Sequence, residues 1–239
     1  MRILLFSGSH SRHVYVHQQL IKIFNIAGIV TMTRESQFPE PPLGLNNTDN
    51  NNFIRHFKER KEVETSTYGN LTNNFYSDEA PTLNINPDEL NSIKVLNFIK
   101  KLKADVCFIF GVNLILDPII NNLPDLTINL HLGLSPWYKG SATLFWPFYF
   151  LQPQYAGATI HFIVKDADAG NIIHQDTPML QFGEGIHQVG ANVVIESVKS
   201  VIKIFTKIEN NEKIIAKKQK SMGRLFLSKD FHPSHLRLI

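Results

Sequence analysis

Short apolar runs alternate along the chain with stretches whose apolar positions recur every three or four residues. "RILLF" (2–6) reads as a buried strand entering a polar loop, "VYVHQQLIKIF" (14–24) carries helical spacing, and "IAGIV" (26–30) reads as a second strand. Strand, helix and strand within thirty residues predict a right-handed parallel crossover. A stretch rich in Pro and Asn (39–53) predicts a surface loop, and "IRHFKERKEVE" (54–64) a solvated helix. Residues 86–103 give the clearest helix: Asn86 or Asp88 can cap it, Pro87 suits its first turn, and lysines crowd its end. It leads into "ADVCFIF" (104–110), apolar throughout, as a strand buried on both faces must be.

Further along, "LTINLHL" (126–132) alternates as a strand, and 142–151 predicts a helix disturbed by Pro147. Strands at 157–165 and 170–179 flank an acidic turn, "DADAG". Residues 186–208 have helical spacing, and the last thirty residues predict a β-hairpin between "EKIIAKKQ" and "GRLFLSKD". The expected fold is α/β: a three-layer core around a mostly parallel sheet over residues 1–185, with a C-terminal helix and hairpin over 186–239. Ile214, Ile215, Leu225, Phe226 and Leu227 would leave that hairpin apolar on both faces, which predicts a homodimer.

Composition adds bounds. With 43% hydrophobic and 19% charged residues in 239, the chain has the make-up of a soluble globular protein. A single cysteine, Cys107, excludes a disulfide framework and a thiolate zinc site, and no metal is expected. No apolar stretch approaches the ~18 residues of a membrane span, and "ILLF" is too short for a signal segment, so a cytoplasmic protein without a membrane partner is expected. A net charge of +3 suits an anionic small molecule and falls short of a nucleic-acid footprint.

Candidate chemistry gathers in the loops after strands. "GSHSRH" lacks the glycine spacing of a dinucleotide fingerprint or a P-loop, so it reads either as a plain strand-to-helix turn or, through Arg12 and His13, as an anion contact. "GLSPW" lacks the second glycine of a nucleophile elbow. Asn129 and His131, two apart on one strand, leave the sheet on the same face. Alone they could simply satisfy each other. Asp168 of the acidic turn is expected near the same strand end, where ligands of open α/β sheets gather. An amide, an imidazole and a carboxylate suit acyl transfer: the first two stabilise an oxyanion, and the carboxylate holds the imidazole charged.

The blocks "NLHLGLSPWYKG" and "GATIHFIVKDADAGNIIHQ", in that order, resemble the formyltransferase family, with His161 and Asp168 at the family's seven-residue spacing. The family includes glycinamide ribonucleotide transformylase, methionyl-tRNA formyltransferase and the sugar N-formyltransferases. The resemblance implies a Rossmann-like core, 10-formyltetrahydrofolate as cosubstrate, and Asn129, His131 and Asp168 as catalytic residues. It places the pterin against Gly111, Val112, Asn113 and Leu116 and against Val164, Asp166 and Gly170. Gly133, Ser135 and Lys139 depart from the family's usual turn, which faces the acceptor. The aromatic stretch "WYKGSATLFWPFY" looks most like the sugar enzymes, with Trp137, Tyr138 and Lys139 as substrate contacts beside Ser9, Arg12 and His13. The implied acceptor is a nucleotide-linked amino sugar of O-antigen synthesis, dTDP-4-amino-4,6-dideoxyglucose first. A GDP-perosamine type and then glycinamide ribonucleotide follow, and a non-catalytic folate- or nucleotide-binding module is the reading from another class.

Overall fold

The computed structural model describes residues 1–71 and 80–239. Strand β1 (Arg2–Gly8), helix α1 (Ser11–Ile21) and strand β2 (Asn25–Met32) form the expected crossover, with β1 and β2 parallel. Helix α2 (Asn47–Tyr68), strand β3 (Thr82–Ile85), helix α3 (Ile93–Leu102), strand β4 (Val106–Phe110) and strand β5 (Leu126–His131) follow. After the two-residue strand β6 (Lys139–Gly140) and the short helix α4 (Trp146–Tyr149) come β7 (Ala158–Phe162), β8 (Ile172–Asp176), helix α5 (Ile186–Glu209) and β9 (Leu225–Phe226). The main sheet has seven strands in the order β3-β2-β1-β4-β5-β7-β8. Its first five strands are parallel, whereas β7 runs antiparallel to β5 and β8 antiparallel to β7.

Alternation along the central strands builds two cores. Ile3 and Leu5 of β1, with Val106, Phe108 and Phe110 of β4, pack with α1 and α5 on one face. Leu4, Phe6, Cys107 and Ile109 pack with α3 on the other. Both faces are covered, as a parallel sheet requires, and this gives the three layers. Helix α5 supplies Ala191, Val194, Val198, Val201 and Phe205 to the first core, so it is built into the sheet's packing. No helix among the described residues is long and apolar enough to cross a membrane.

Four expectations change. Helix α2 begins at Asn47, inside the stretch expected to be loop: Asn46 caps it by accepting from the Asp49 N–H, and Arg237 clamps Asp49 through two bonds of 2.7 and 2.8 Å. It is not a merely solvated helix, because Phe53 is buried and Phe57 packs beside it. The helix expected over 86–103 breaks into a 3-10 turn (Pro87–Glu89) and α3, which Ser92 caps. At the break, Asn91 donates to the Leu114 carbonyl and accepts from the Leu116 N–H, pinning the loop after β4. Only 146–149 of the helix expected over 142–151 is α-helical, flanked by positive φ at Ala142 and Leu151.

The C-terminal hairpin does not form. Lys217 bridges Ile172 instead, and β9 pairs in parallel with β6. Phe226 is buried against Tyr138 and Trp146, and β9 can approach β6 because Gly140 has no Cβ to meet the Phe226 carbonyl. Of the side chains expected to seek a second copy, Phe226 is buried and Ile214 packs on the first core, whereas Ile215, Leu225 and Leu227 stay exposed; the hairpin on which the homodimer was argued is absent.

Candidate functional site

A cavity of about 510 Å³ opens where β1, β4 and β5 end, beside the point at which the strand order reverses. Asn129, His131, His161 and Asp168 all line it. Asn129 and His131 leave β5 on the same face, as their spacing of two dictates. His161 sits on β7 directly across the antiparallel ladder from Asn129. Asp168 reaches in from the β7–β8 loop with φ of 50°, a left-handed conformation. That loop closes tightly on β7 at Gly170, where a Cβ would stand 1.7 Å from the Phe162 carbonyl oxygen. Glycine at 170 therefore sets the approach of Asp168.

Hydrogen bonds assign the roles of the ring nitrogens. His161 donates from Nδ1 to the Phe162 carbonyl at 2.8 Å, so Nε2 accepts from Asn129 Nδ2 at 3.1 Å. That orients the Asn129 amide and leaves its second N–H free of this bond. His131 donates from Nε2 to the Tyr138 carbonyl at 2.7 Å, and its Nδ1 faces Asp168 Oδ2 at 3.3 Å. Asp168 Oδ2 also accepts from the Gly140 N–H at 2.8 Å, while Oδ1 lies 3.4 Å from His161 Nε2. Gly133 belongs to this arrangement: a Cβ there would stand 2.5 Å from His131 Nε2 and 2.4 Å from the Tyr138 oxygen.

Burial and charge act against each other in this cluster. Burial would push Asp168 up, but His131, His161 and the Gly140 N–H hold it down to about 2, so it is ionised. Burial lowers His131 from its ordinary value, and the Asp168 carboxylate and Tyr138 carbonyl oppose the fall without reversing it.

Of the other candidates, Gly111, Val112, Asn113, Val164 and Asp166 line the cavity, whereas Leu116 and Gly170 do not. Arg12 and His13 line it too, but Arg12 is committed to Glu64 at 2.6 Å and to His10 Nδ1 at 2.9 Å. His13 is wedged between Gly8 and Gly111, where a Cβ would stand within 2.4 Å of its ring. Ser9 Oγ accepts from the Arg34 N–H at 2.8 Å and holds the loop after β2. Trp137 is exposed and leans on Tyr155, the Tyr138 ring stacks on Phe226, and neither side chain lines the cavity; Lys139 does not line it either. Sequence reasoning used His161 only for its spacing, and it missed His56, Arg60 and His187, which also line the cavity. The pairing of His161 with Asn129 depends on β7 running antiparallel, and the alternation of a strand carries no sign of direction.

A family model described as formyl transferase matches residues 1–203. The bifunctional polymyxin resistance protein ArnA of Wigglesworthia glossinidia brevipalpis is 34% identical over 90 residues, which are 37% of this chain and 14% of that protein. The chain thus spans a small part of the curated relative it matches. An N-formyltransferase from Helicobacter canadensis, solved with folinic acid and dTDP-3-aminofucose, superposes with a TM-score of 0.61 at 17% identity, covering 97% of this chain and 73% of that one. Phosphoribosylglycinamide formyltransferase from Anaplasma phagocytophilum gives 0.62 at 16% identity, covering 95% and 98%. At these identities the two structures speak to the fold.

Proposed function

Because the chain belongs to the formyl transferase family, we propose that it moves the formyl group of 10-formyltetrahydrofolate onto the amine of a nucleotide-linked amino-dideoxy sugar, dTDP-4-amino-4,6-dideoxyglucose first among them. One observation carries this reading: an ionised carboxylate lies within 3.4 Å of two imidazoles, beside an oriented amide, at the floor of a cavity large enough for a small-molecule ligand. The cavity also suits a flat heterocycle with many donors and acceptors. Val112 to Ile115, with Val164, Asp166 and Ala167, line much of it, and their backbone N–H groups find no acceptor among the described residues.

The bound folate would supply an activated formyl carbon, and the chain's own residues do the rest. Asn129 presents its second amide N–H to the formyl oxygen as negative charge develops there. His131, with Nε2–H held by the Tyr138 carbonyl, has Nδ1 to receive the proton lost by the attacking amine. Asp168 Oδ2, 3.3 Å away, stabilises the imidazolium so formed until the proton passes to the leaving nitrogen. His161 keeps the Asn129 amide turned the right way.

The likeness to phosphoribosylglycinamide formyltransferase, which spans 98% of that chain, makes glycinamide ribonucleotide the competing acceptor. Mass spectrometry of products from a panel of dTDP- and GDP-linked amino sugars and glycinamide ribonucleotide separates the two. Formylation of an amino sugar supports the proposal; formylation of the ribonucleotide alone overturns it.

A further inference from the structure

The cavity has a second wall, made by helices. Arg12 of α1, His56, Arg60 and Glu64 of α2, and His187 of α5 line it. The carboxylate of Glu64 is fully engaged: Oε1 pairs with Arg12 at 2.6 Å, and Oε2 accepts from the Gln37 amide at 3.3 Å. Arg60 has no carboxylate within ion-pair distance among the described residues. It donates from Nη2 to the Gln37 carbonyl at 3.0 Å and lies 4.5 Å above the Phe57 ring, while its buried Nε finds no partner. His187 Nε2 is likewise buried and unpartnered, and the His187 ring lies 4.5 Å from that of His56.

An unpaired guanidinium and orphaned buried nitrogens are costly unless something pairs with them. Arg60 carries the positive charge of this wall, and beside it the orphaned nitrogens offer open hydrogen-bonding capacity to the cavity that these residues line. Burial, reinforced by the neighbouring positive groups, brings Arg60 down to about 10, His56 to about 3 and His187 to about 4. A group that reverses all of these effects at once is a multiply charged anion with several acceptor oxygens. Arginine's planar fork suits phosphate oxygens in particular.

We propose that Arg60, with His56 and His187, forms a phosphate-binding subsite of this cavity, where the acceptor's diphosphate rests while its amine reaches Asn129 and Asp168. The identity of the ligand rests on the acceptor reading above; the anion site itself does not. The assignment also moves the phosphate contacts away from Ser9 and Arg12, which already have partners.

Calorimetric titration of the full chain with inorganic pyrophosphate at pH 7 tests this. The unaltered protein is expected to bind, and Arg60→Gln to weaken binding by about 10- to 100-fold, the range of one or two charge-assisted hydrogen bonds. Arg60→Lys keeps the charge without the fork and is expected to fall between the two. Lys101→Gln, at an exposed position of α3, controls for general loss of positive charge, and circular dichroism confirms that each variant is folded. Equal pyrophosphate affinity in folded Arg60→Gln, or no binding by the unaltered protein, overturns the subsite. Pyrophosphate binding at Arg60 without any formyl transfer leaves the subsite standing and overturns the activity. Formyl transfer to an amino sugar with an Arg60→Gln variant of unchanged KM for that sugar does the reverse.

Discussion

The floor and the helical wall of the cavity differ in how their polar atoms are satisfied. On the floor Asn129, His131, His161 and Asp168 bond to one another and to backbone, so each ring nitrogen and each carboxylate oxygen has a neighbour to face. On the wall Arg60 Nε and His187 Nε2 have none. A cluster whose members orient one another before any ligand arrives suits groups that must meet developing charge without reorganising. An unsaturated one pairs its groups when the ligand comes, which suits recognition. The same cavity thus holds a preorganised half and a half that a ligand completes.

The sharpest way to break this contrast is to disturb the charge at the centre of the floor. Asp168→Asn keeps the shape but removes the partner of His131 Nδ1; kcat is expected to fall by about 100- to 10,000-fold, the range for a positioned proton-transfer group. A loss below tenfold in steady-state assays would make the carboxylate structural. Next in size is Gly170→Ala, which forces a Cβ against the Phe162 carbonyl and displaces the loop carrying Asp168. Overpacking of this kind costs about 1–3 kcal/mol in urea unfolding, and kcat should fall while KM for the folate changes less. Unchanged stability would show that the loop is free to move.

Acid sharpens the comparison further. Burial, chiefly, depresses His10, His17 and His187 to about 4 and His56 to about 3, so between about 4 and the ordinary 6.5 the unfolded chain binds more protons than the folded one. Stability is then complete above about pH 6.5 and falls as pH drops through that window. Asp168 adds its loss later, between 3.8 and about 2. Urea unfolding at pH 7.5, 6 and 5 should show a continuous decline; a flat response down to pH 5 would contradict the buried neutral histidines. The smallest effect is expected at Trp137→Ala, outside the cavity, with stability within about 0.5 kcal/mol and KM for the acceptor unchanged. A large rise in KM there would return the aromatic turn to the acceptor.

How much of this was legible in the sequence follows from the range of each interaction. The "CFIF" and "TINLH" strands announce themselves because burial on both faces, or on one, writes a pattern into neighbouring residues. Asn129 and His131 share a face by period alone, and Asp168 joined them through a motif rather than through any local pattern. The start of α2 was hidden: a run of Asn favours turns, and the pairing of Asp49 with Arg237 near the far end of the chain stabilises a helix there. The hairpin does not form because its two apolar segments, near each other in sequence, pair with β6 and β8 at a distance. The helical wall was invisible for the same reason, since Arg60 and His187 meet only after α2 and α5 pack over the sheet.

The most direct test is single-turnover formyl transfer by Asn129→Ala, followed by mass spectrometry with saturating 10-formyltetrahydrofolate and an amino-sugar acceptor. Loss of the amide that faces the formyl oxygen should slow transfer by ~100- to 1,000-fold with folate binding unchanged. Transfer at the rate of the unaltered protein would contradict the account.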